Sequence, residues 1–277
     1  MQLSFDAVGE LPPASPVVLS VPHAGRDYPL PLHDALRVPL TALTVLEDRF
    51  VDQLALAARR DETAIVQRVA RAWIDLNRAE HDRDPRLDDG APAGHLSAKV
   101  RSGLGLVPRR TTASGELWRR RLEGDEVVAR IASVHRPYHE ALAAALTAAK
   151  ARFGVAVLLD IHSMPPIAGS RTRIVIGDRF GRSASHRFVR RMEAAIAARQ
   201  HEYSLNVPYA GGYILERHGN PRQHIHAIQL EIDRSLYLDG RLDRPGTGFG
   251  HIAALVRNII DGLEEEALDQ STALAAE

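Results

Sequence analysis

The chain has 277 residues, 45% of them hydrophobic and 25% charged, which is typical of a globular protein with a sizeable core. Its 35 basic residues balance 35 acidic ones, so no net field favours nucleic acid or an anionic membrane as a partner. The absence of cysteine excludes disulfides, thiolate catalysis and cysteine-ligated metals.

Strand-like and helical patterns alternate along the chain. Apolar, β-branched runs predict strands at 16–21, 63–70, 72–76, 155–161, 172–177 and 226–232. Amphipathic periodicity predicts helices at 45–59, 115–149, 180–199 and 248–266, with breaks or kinks in the second at Gly124 and Pro137. The segment 82–110 lacks periodicity and predicts a long loop or lid. This alternation predicts an α/β fold with a mixed, mostly parallel central sheet flanked by helices.

The chain shows no signature of export, membrane insertion or division into several domains. The N-terminus lacks a basic region followed by an apolar stretch, and no segment approaches 18 uncharged apolar residues. We therefore expect a cytoplasmic protein without a membrane partner. Because no linker-like stretch interrupts it, we predict one catalytic domain over residues 1–269 and a frayed tail over 270–277.

Two predicted strands lead directly to a histidine. Residues two apart on a strand share a face, so Asp160 and His162 point together while Ile161 points into the packing. The first predicted strand similarly ends just before His23. Ligands of open α/β sheets bind at the carboxyl ends of the strands, so this convergence indicates a metal site. The structural alternatives are a histidine held by Asp160 and a loop histidine that caps the turn before Gly25.

A carboxylate must complete this site in a chain without cysteine. Glu47 and Asp48 lie near the start of the predicted helix 45–59. Thr44 and Glu47 have capping-box spacing, which gives Glu47 a structural alternative. Two histidines and one carboxylate with an open position are typical of a catalytic zinc hydrolase. They also describe a non-haem Fe(II) oxygenase, although the strand and helix alternation does not favour the many-stranded barrel of that class.

The last predicted strand carries a candidate general base. Alternation along 226–232 places Gln229 and Glu231 on one face, with apolar residues on the other. A charge within an apolar strand needs a partner or a role, and Glu231 suits a base that accepts a proton from water. The structural alternative is an ion pair with Arg234 or Arg217.

Asn77 and Arg78, at the end of the predicted strand 72–76, form a candidate anchor for an anionic substrate. The planar guanidinium group binds carboxylates through two parallel hydrogen bonds. An exposed salt bridge is the structural alternative for Arg78. The predicted substrate-binding set also includes side chains from two later segments, namely Arg171, Arg173, Tyr213 and Arg217.

Seven segments in this order along the chain together resemble the N-formylglutamate amidohydrolase family, zinc-dependent deformylases associated with histidine breakdown. They span residues 17 to about 240, and only their joint order is specific. The segments are 21–25 (VPHAG), 47–52 (EDRFVD), 75–78 (DLNR), 137–139 (PYH), 160–164 (DIHSM), 211–214 (GGYI) and 229–232 (QLEI).

The resemblance implies a fold similar to that of the zinc carboxypeptidases and zinc held by His23, Asp48 and His162, with Glu231 as the base. The resemblance favours Asp48 over the neighbouring Glu47, because the family-like segment carries its acid just before the aromatic and Val-Asp positions. The expected reaction is hydrolysis of a linear, non-peptide amide, N-formyl-L-glutamate, to formate and L-glutamate. Another N-acyl amino acid is an alternative substrate, because 82–110 does not match the family. A binding protein with a degenerate site is the non-enzymatic alternative, which the complete set of candidate residues disfavours.

Overall fold

A seven-stranded sheet runs through the molecule, with helices on both of its faces. The computed structural model describes residues 3–274. In chain order, the strands of this sheet are β1 (Phe5–Val8), β2 (Val17–Val21), β3 (Thr63–Gln67), β6 (Ala156–Met164), β7 (Ile174–Gly177), β8 (Tyr203–Leu205) and β9 (Ile225–Asp233). A separate two-stranded hairpin consists of β4 (Arg110–Thr111) and β5 (Gly115–Glu116).

The strands of the large sheet are mostly parallel. Their spatial order is β1-β3-β2-β6-β9-β7-β8. The pairs β3–β2, β2–β6, β6–β9 and β7–β8 are parallel, whereas β1–β3 and β9–β7 are antiparallel. This topology confirms the predicted α/β fold with a mixed, mostly parallel sheet.

Two helical layers cover the sheet. Within residues 3–274 the α-helices are α1 (Leu30–Ala35), α2 (Val51–Ala58), α3 (Ala98–Arg101), α4 (Gly124–Arg130), α5 (Arg136–Phe153), α6 (His186–Ala198), α7 (Tyr213–His218) and α8 (Phe249–Leu274). Short 3-10 turns span Leu40–Leu46, Pro221–Gln223 and Arg234–Leu236. Helices α2, α6 and α8 pack on one face, and α4 and α5 pack on the other. No helix in this part of the chain is long and apolar enough to cross a membrane.

Alternate residues of β6 enter opposite cores, as the pleat of a strand requires. The side chains packed on the layer of α2, α6 and α8 are Val157, Leu159 and Ile161. Ala156 and Leu158 pack on the layer of α5. Asp160 and His162 continue this second face, so both polar side chains lie at the carboxyl end of the strand on the α5 side.

The prediction of a strand over 72–76 is wrong. This segment is a turn-rich loop in which the Asp75 amide donates to the Leu106 carbonyl, 2.7 Å away. Ile74 and Leu76 are buried, but against the helical layer of α5. Since β3 already has β1 and β2 as neighbours, the loop that follows it has no place beside β3 in the sheet.

The predicted helix over 45–59 is interrupted at the site described below. A 3-10 turn ends at Leu46, and α2 begins only at Val51 after Phe50 adopts the left-handed conformation, with φ of 57°. The Thr44 hydroxyl donates to the Thr41 carbonyl, so the expected capping box with Glu47 does not form.

The predicted helix over 115–149 is also divided. It begins at Gly124, where we expected a break, whereas residues 115–123 contain β5 and irregular chain. A π-helical turn, Ile131–His135, precedes Pro137 and separates α4 from α5. Such turns occur frequently near functional sites.

The helix predicted over 248–266 is confirmed as α8, and the helix predicted over 180–199 is confirmed from His186 onward, where α6 begins. Helix α8 continues to Leu274, through the first part of the predicted tail, and residues 275–277 lie outside the described chain. The short edge strands β1 and β8 were not predicted, because their exposed, brief sequences lack a buried-strand pattern.

Candidate active site

His23, Asp48 and His162 meet at the carboxyl ends of β2 and β6. Nδ1 of His162 lies 2.9 Å from Oδ2 of Asp48, and Nδ1 of His23 lies 3.7 Å from the same oxygen. The Asp48 amide donates to the His23 carbonyl, at 2.9 Å, which ties the loop before α2 to the end of β2. All three side chains are buried.

The far nitrogen of each imidazole is held by another carboxylate. Nε2 of His23 bonds Oδ1 of Asp75 at 2.7 Å, and Nε2 of His162 bonds Oδ2 of Asp160 at 2.8 Å. The Ser20 hydroxyl donates to the other Asp160 oxygen. A carboxylate on Nε2 keeps the proton there and turns Nδ1 toward Asp48, the arrangement that metal-binding histidines commonly have.

These donor atoms fit a divalent cation. One ligand atom from each of His23, Asp48 and His162 lies within 4.8 Å of the other two. Nδ1 of His23 is buried and has no hydrogen-bond partner among the residues that the structure describes. An unpaired buried nitrogen costs free energy, which a bound cation would remove. Two imidazole nitrogens and one carboxylate are a donor set that catalytic zinc ions use.

The charges within this cluster favour a protonated His162 beside an ionised Asp48. Burial alone would lower the pKa of His162, but the carboxylates of Asp160 and Asp48 hold it well above the ordinary value. Burial lowers the pKa of His23 to about 4, and the charge of Arg71 adds to this effect. The hydrogen bond and charge of His162 overcome the burial of Asp48 and keep its pKa below the ordinary value. Cation binding therefore has to displace the proton from Nδ1 of His162.

Glu231 stands beside this cluster on β9, directly opposite His162 in the parallel register. Burial raises the pKa of Glu231 to about 7, with a further contribution from Asp48 that His162 opposes. Its carboxylate accepts a hydrogen bond from Nε2 of Gln229, at 2.9 Å, rather than from Arg234 or Arg217. A carboxyl group poised near neutrality suits proton transfer in both directions.

A chain of amides holds Glu231 in place. The Ile214 amide donates to Oδ1 of Asn77 at 3.0 Å, and Nδ2 of Asn77 approaches Oε1 of Gln229 at 3.5 Å. A Cβ atom on Gly212 would collide with Asn77, so only glycine permits this close approach before α7. Both ends of the Asn77 amide therefore have protein partners.

The cleft in front of these groups has a volume of about 260 Å³ and a cationic lining. Arg71 binds Oδ2 of Asp75 through two nitrogens, at 2.9 and 2.8 Å. Arg234 lies 3.2 Å from Oδ1 of Asp48. The cations that line the cleft are Arg71, Arg78, Lys99 and Arg234.

Six of the ten residues predicted for the site line this one cleft, namely His23, Asp48, Asn77, Arg78, His162 and Glu231. Four predicted substrate contacts have other partners. Arg171 is exposed and paired with Glu202, and Arg173 is paired with Asp233. The Arg217 guanidinium donates to the Tyr213 hydroxyl, while the Tyr213 ring stacks on His135.

Sequence reasoning missed several residues of the cleft, namely Arg71, Lys99, Pro208 and Tyr209. All four lie outside the strands, where periodicity carries no signal. Composition does distinguish one of them, Lys99, because lysine is rare in this chain. Among the 35 basic residues of the chain only two are lysines, Lys99 and Lys150.

The fold and the cluster define an α/β protein with a candidate single-metal centre at the carboxyl ends of its strands. The model of the family described as N-formylglutamate amidohydrolase matches residues 15–238, and the chain belongs to this family.

Named relatives cover most of the chain. It is 32% identical to an N-formylglutamate deformylase of Pseudomonas putida over 234 residues, which are 81% of this chain and 82% of the relative. It is 28% identical to an N-formylglutamate deformylase of Pseudomonas aeruginosa, covering 91% of this chain and 92% of the relative.

Solved structures agree with the fold. The N-formylglutamate amidohydrolase of Ralstonia eutropha JMP134 has a TM-score of 0.85 and 29% identity, and covers 96% of this chain and 98% of its own. The gene product Atu2144 of Agrobacterium tumefaciens has a TM-score of 0.66 at 16% identity, covering 97% of this chain and 96% of its own, which shows similarity of fold alone.

Proposed function

We propose that the protein is a zinc-dependent amidohydrolase that converts N-formyl-L-glutamate to formate and L-glutamate. Family membership and the names of the relatives support the substrate. The observation that carries the chemistry is the meeting of His23, Asp48 and His162 within 4.8 Å, beside the buried Glu231.

The metal ligands in this proposal are His23, Asp48 and His162. A zinc ion held by them would act as a Lewis acid toward the formyl group and would acidify water. Asp75 and Asp160 hold the imidazoles from behind, and the guanidinium of Arg234 fixes Asp48 from the side.

Glu231 is the proposed general base. Its pKa of about 7 lets the carboxylate accept a proton from the attacking water and then return it to the departing amide nitrogen. A cation next to Glu231 favours the ionised form and lowers this pKa, so the residue remains a competent base at neutral pH. Gln229 and Asn77 act as positioning residues, because their amides keep one Glu231 oxygen in a fixed direction.

Arg78 is the proposed anchor for the α-carboxylate of the substrate. Its Nε donates to the Leu104 carbonyl at 2.8 Å and its Nη1 donates to the Asn77 carbonyl at 2.6 Å, so the plane of the group is fixed. Nη2 lies 3.8 Å from Oδ2 of Asp75, beyond hydrogen-bond distance. The terminal nitrogens therefore keep protons for an anion in the cleft.

Formate release from N-formylglutamate, measured together with zinc content, tests this proposal. We expect the purified protein to bind one zinc per chain, to lose activity with a chelator and to regain it with zinc. Absence of formate release from the zinc-loaded protein would contradict the proposed function.

Glu231→Gln separates the base from the ligands. The variant keeps the shape of the side chain and should retain zinc while kcat falls by about 10² to 10⁴, the usual contribution of a general base. The matched control is Glu62→Gln, because Glu62 is also buried but precedes β3, at the amino ends of the parallel strands and away from the cleft. Loss of zinc from Glu231→Gln would instead assign that residue as a ligand.

A further inference from the structure

Lys99 differs from the other cations of the cleft. Arg71 is paired with Asp75, Arg234 with Asp48, and Arg78 with two carbonyl oxygens. Lys99 lines the same cleft, but its ammonium group forms no hydrogen bond or ion pair with any residue between 3 and 274. Lys99 is an exposed residue whose ammonium group is partly buried, so it lies where the cleft meets solvent.

We propose that Lys99 binds the side-chain carboxylate of N-formylglutamate and thereby sets the preference for an acidic amino acid. This inference rests on the proposed function and adds a specificity residue to it. The substrate carries two carboxylates, and Arg78 accounts for only one of them. A dianion therefore needs a second cation, and among the cations of the cleft Lys99 is the one whose charged group has no partner in residues 3–274.

Hydrogen bonds to Leu104 connect Lys99 with Arg78. The Leu104 amide donates to the Lys99 carbonyl at 2.8 Å, and the Leu104 carbonyl accepts from Nε of Arg78, also at 2.8 Å. A single residue, Leu104, thus connects the backbone of one cation to the guanidinium group of the other. Two anchors linked in this way can recognise two carboxylates at a fixed separation.

Packing also fixes the short helix α3 that carries Lys99. The Ser97 side chain caps it by accepting from the Val100 amide at 3.3 Å, and Val100 is buried. The Leu106 amide donates to the Asp82 carbonyl at 2.7 Å, which closes the segment on itself. The lysine is therefore presented from an ordered part of the segment 82–110, although its own side chain is free.

Local charge supports an anion at this position. Partial burial lowers the pKa of the Lys99 ammonium, and the positive charges of Arg78 and Arg71 lower it further, against the opposing influence of Asp75 and Glu231. Like charges that line one cleft are unfavourable until an anion lies between them. The second carboxylate of the substrate supplies this charge.

The comparison of N-formylglutamate with N-formylglutamine tests the inference, because the two differ only in the side-chain carboxylate. We expect the wild-type protein to prefer the glutamate derivative in kcat/KM. Lys99→Met should reduce this preference by roughly ten- to a hundredfold, the value of a charge-assisted hydrogen bond. The reduction should appear mainly as a higher KM for N-formylglutamate, with zinc retained.

Two variants control this measurement. Lys150→Met removes the only other lysine, which lies in the last turn of α5, and should leave the preference unchanged. Lys99→Arg keeps the positive charge and should recover most of the preference. An equal preference in wild type and Lys99→Met would overturn the inference.

A binding measurement distinguishes failure of this inference from failure of the proposed function. Glutarate carries the two carboxylates of glutamate without a scissile bond, and butyrate carries one. If the zinc protein releases no formate but binds glutarate more tightly than butyrate, and Lys99→Met loses this difference, the dicarboxylate site stands and the reaction is wrong. If formate is released equally from both formyl amino acids, the reaction stands and the role of Lys99 is wrong.

Discussion

Two groups of buried histidines lie around the loop 72–78, and they differ in the partners of their ring nitrogens. The ligand histidines, His23 and His162, are backed by the carboxylates of Asp75 and Asp160. The second group, called here the support histidines, consists of His135, His139 and His218. All five side chains are less than a tenth exposed, so burial does not distinguish the groups.

The support histidines bond to neutral partners. Nε2 of His135 bonds the Arg78 carbonyl at 2.8 Å, and Nε2 of His139 bonds the Leu76 carbonyl at 3.0 Å. Nδ1 of His139 meets Nε2 of His218, also at 3.0 Å. These rings thus hold the backbone that presents Asn77 and Arg78 to the cleft.

The proton affinities show this difference for His162 but not for His23, whose pKa burial and the charge of Arg71 lower to about 4. Burial and the neighbouring imidazoles lower the pKa of His139 to about 2, and burial with the charge of Arg217 lowers the pKa of His218 to about 4. The pKa of His162, equally buried, is raised by its carboxylates. The partner of the far nitrogen therefore indicates the role of a buried histidine, with carboxylates behind candidate ligands and carbonyl groups behind support.

The largest expected effect separates the two groups by metal content. His162→Ala should lose zinc and turnover together, because it removes one of three ligands. His139→Gln should keep one zinc per chain and lose stability, since it disturbs only the support of the loop. Elemental analysis and formate release measure both. A His162→Ala protein with full zinc and normal turnover would contradict the ligand assignment.

A smaller effect should follow from changing the carboxylate behind a ligand histidine. Asp160→Asn preserves shape but removes the charge that acts on Nε2 of His162, so zinc affinity should fall by about 10- to 100-fold. Competition with a chelator measures this affinity. The Glu62→Gln control, which changes an equally buried carboxylate away from the cleft, should bind zinc as tightly as wild type.

The smallest effect concerns pH and stability. Because the pKa of His218 is lowered from 6.5 to about 4, the unfolded state binds a proton between these pH values that the folded state does not. The free energy of unfolding should therefore decrease as pH falls from 6.5, by up to about 1.4 kcal/mol per pH unit for this residue. Urea unfolding at several pH values should show a shallower decrease for His218→Gln. Parallel curves for variant and wild type would rule out this contribution.

Strand periodicity explains which parts of the candidate site could be located from sequence. Asp160 and His162 were placed on one face, and Gln229 and Glu231 on another, because side chains alternate strictly along a strand. The structure sets these two faces side by side, with His162 opposite Glu231. The pairing follows from adjacent parallel strands that end at the same edge of the sheet.

The conformations of the segments outside the strands were predicted wrongly, and the reason is physical. Asp48 lies in a break between a 3-10 turn and α2, where we predicted continuous helix, because its amide is bound to the His23 carbonyl. Asn77 and Arg78 belong to a loop held by distant histidines rather than to a strand. Local propensity contains no information about these partners, which are between 25 and 63 residues away in sequence.

The sequence by itself determined the α/β class, the two strand-end histidines and the polar face of β9, because periodicity and composition are local properties. Only the tertiary structure decided which cations enter the cleft. It directs Arg71 and Lys99 toward the site and leaves Arg171, Arg173 and Arg217 with other partners. The physical reason is that the loops are positioned by backbone hydrogen bonds between residues far apart in the chain. Examples are the Leu106 amide with the Asp82 carbonyl and the Asp75 amide with the Leu106 carbonyl.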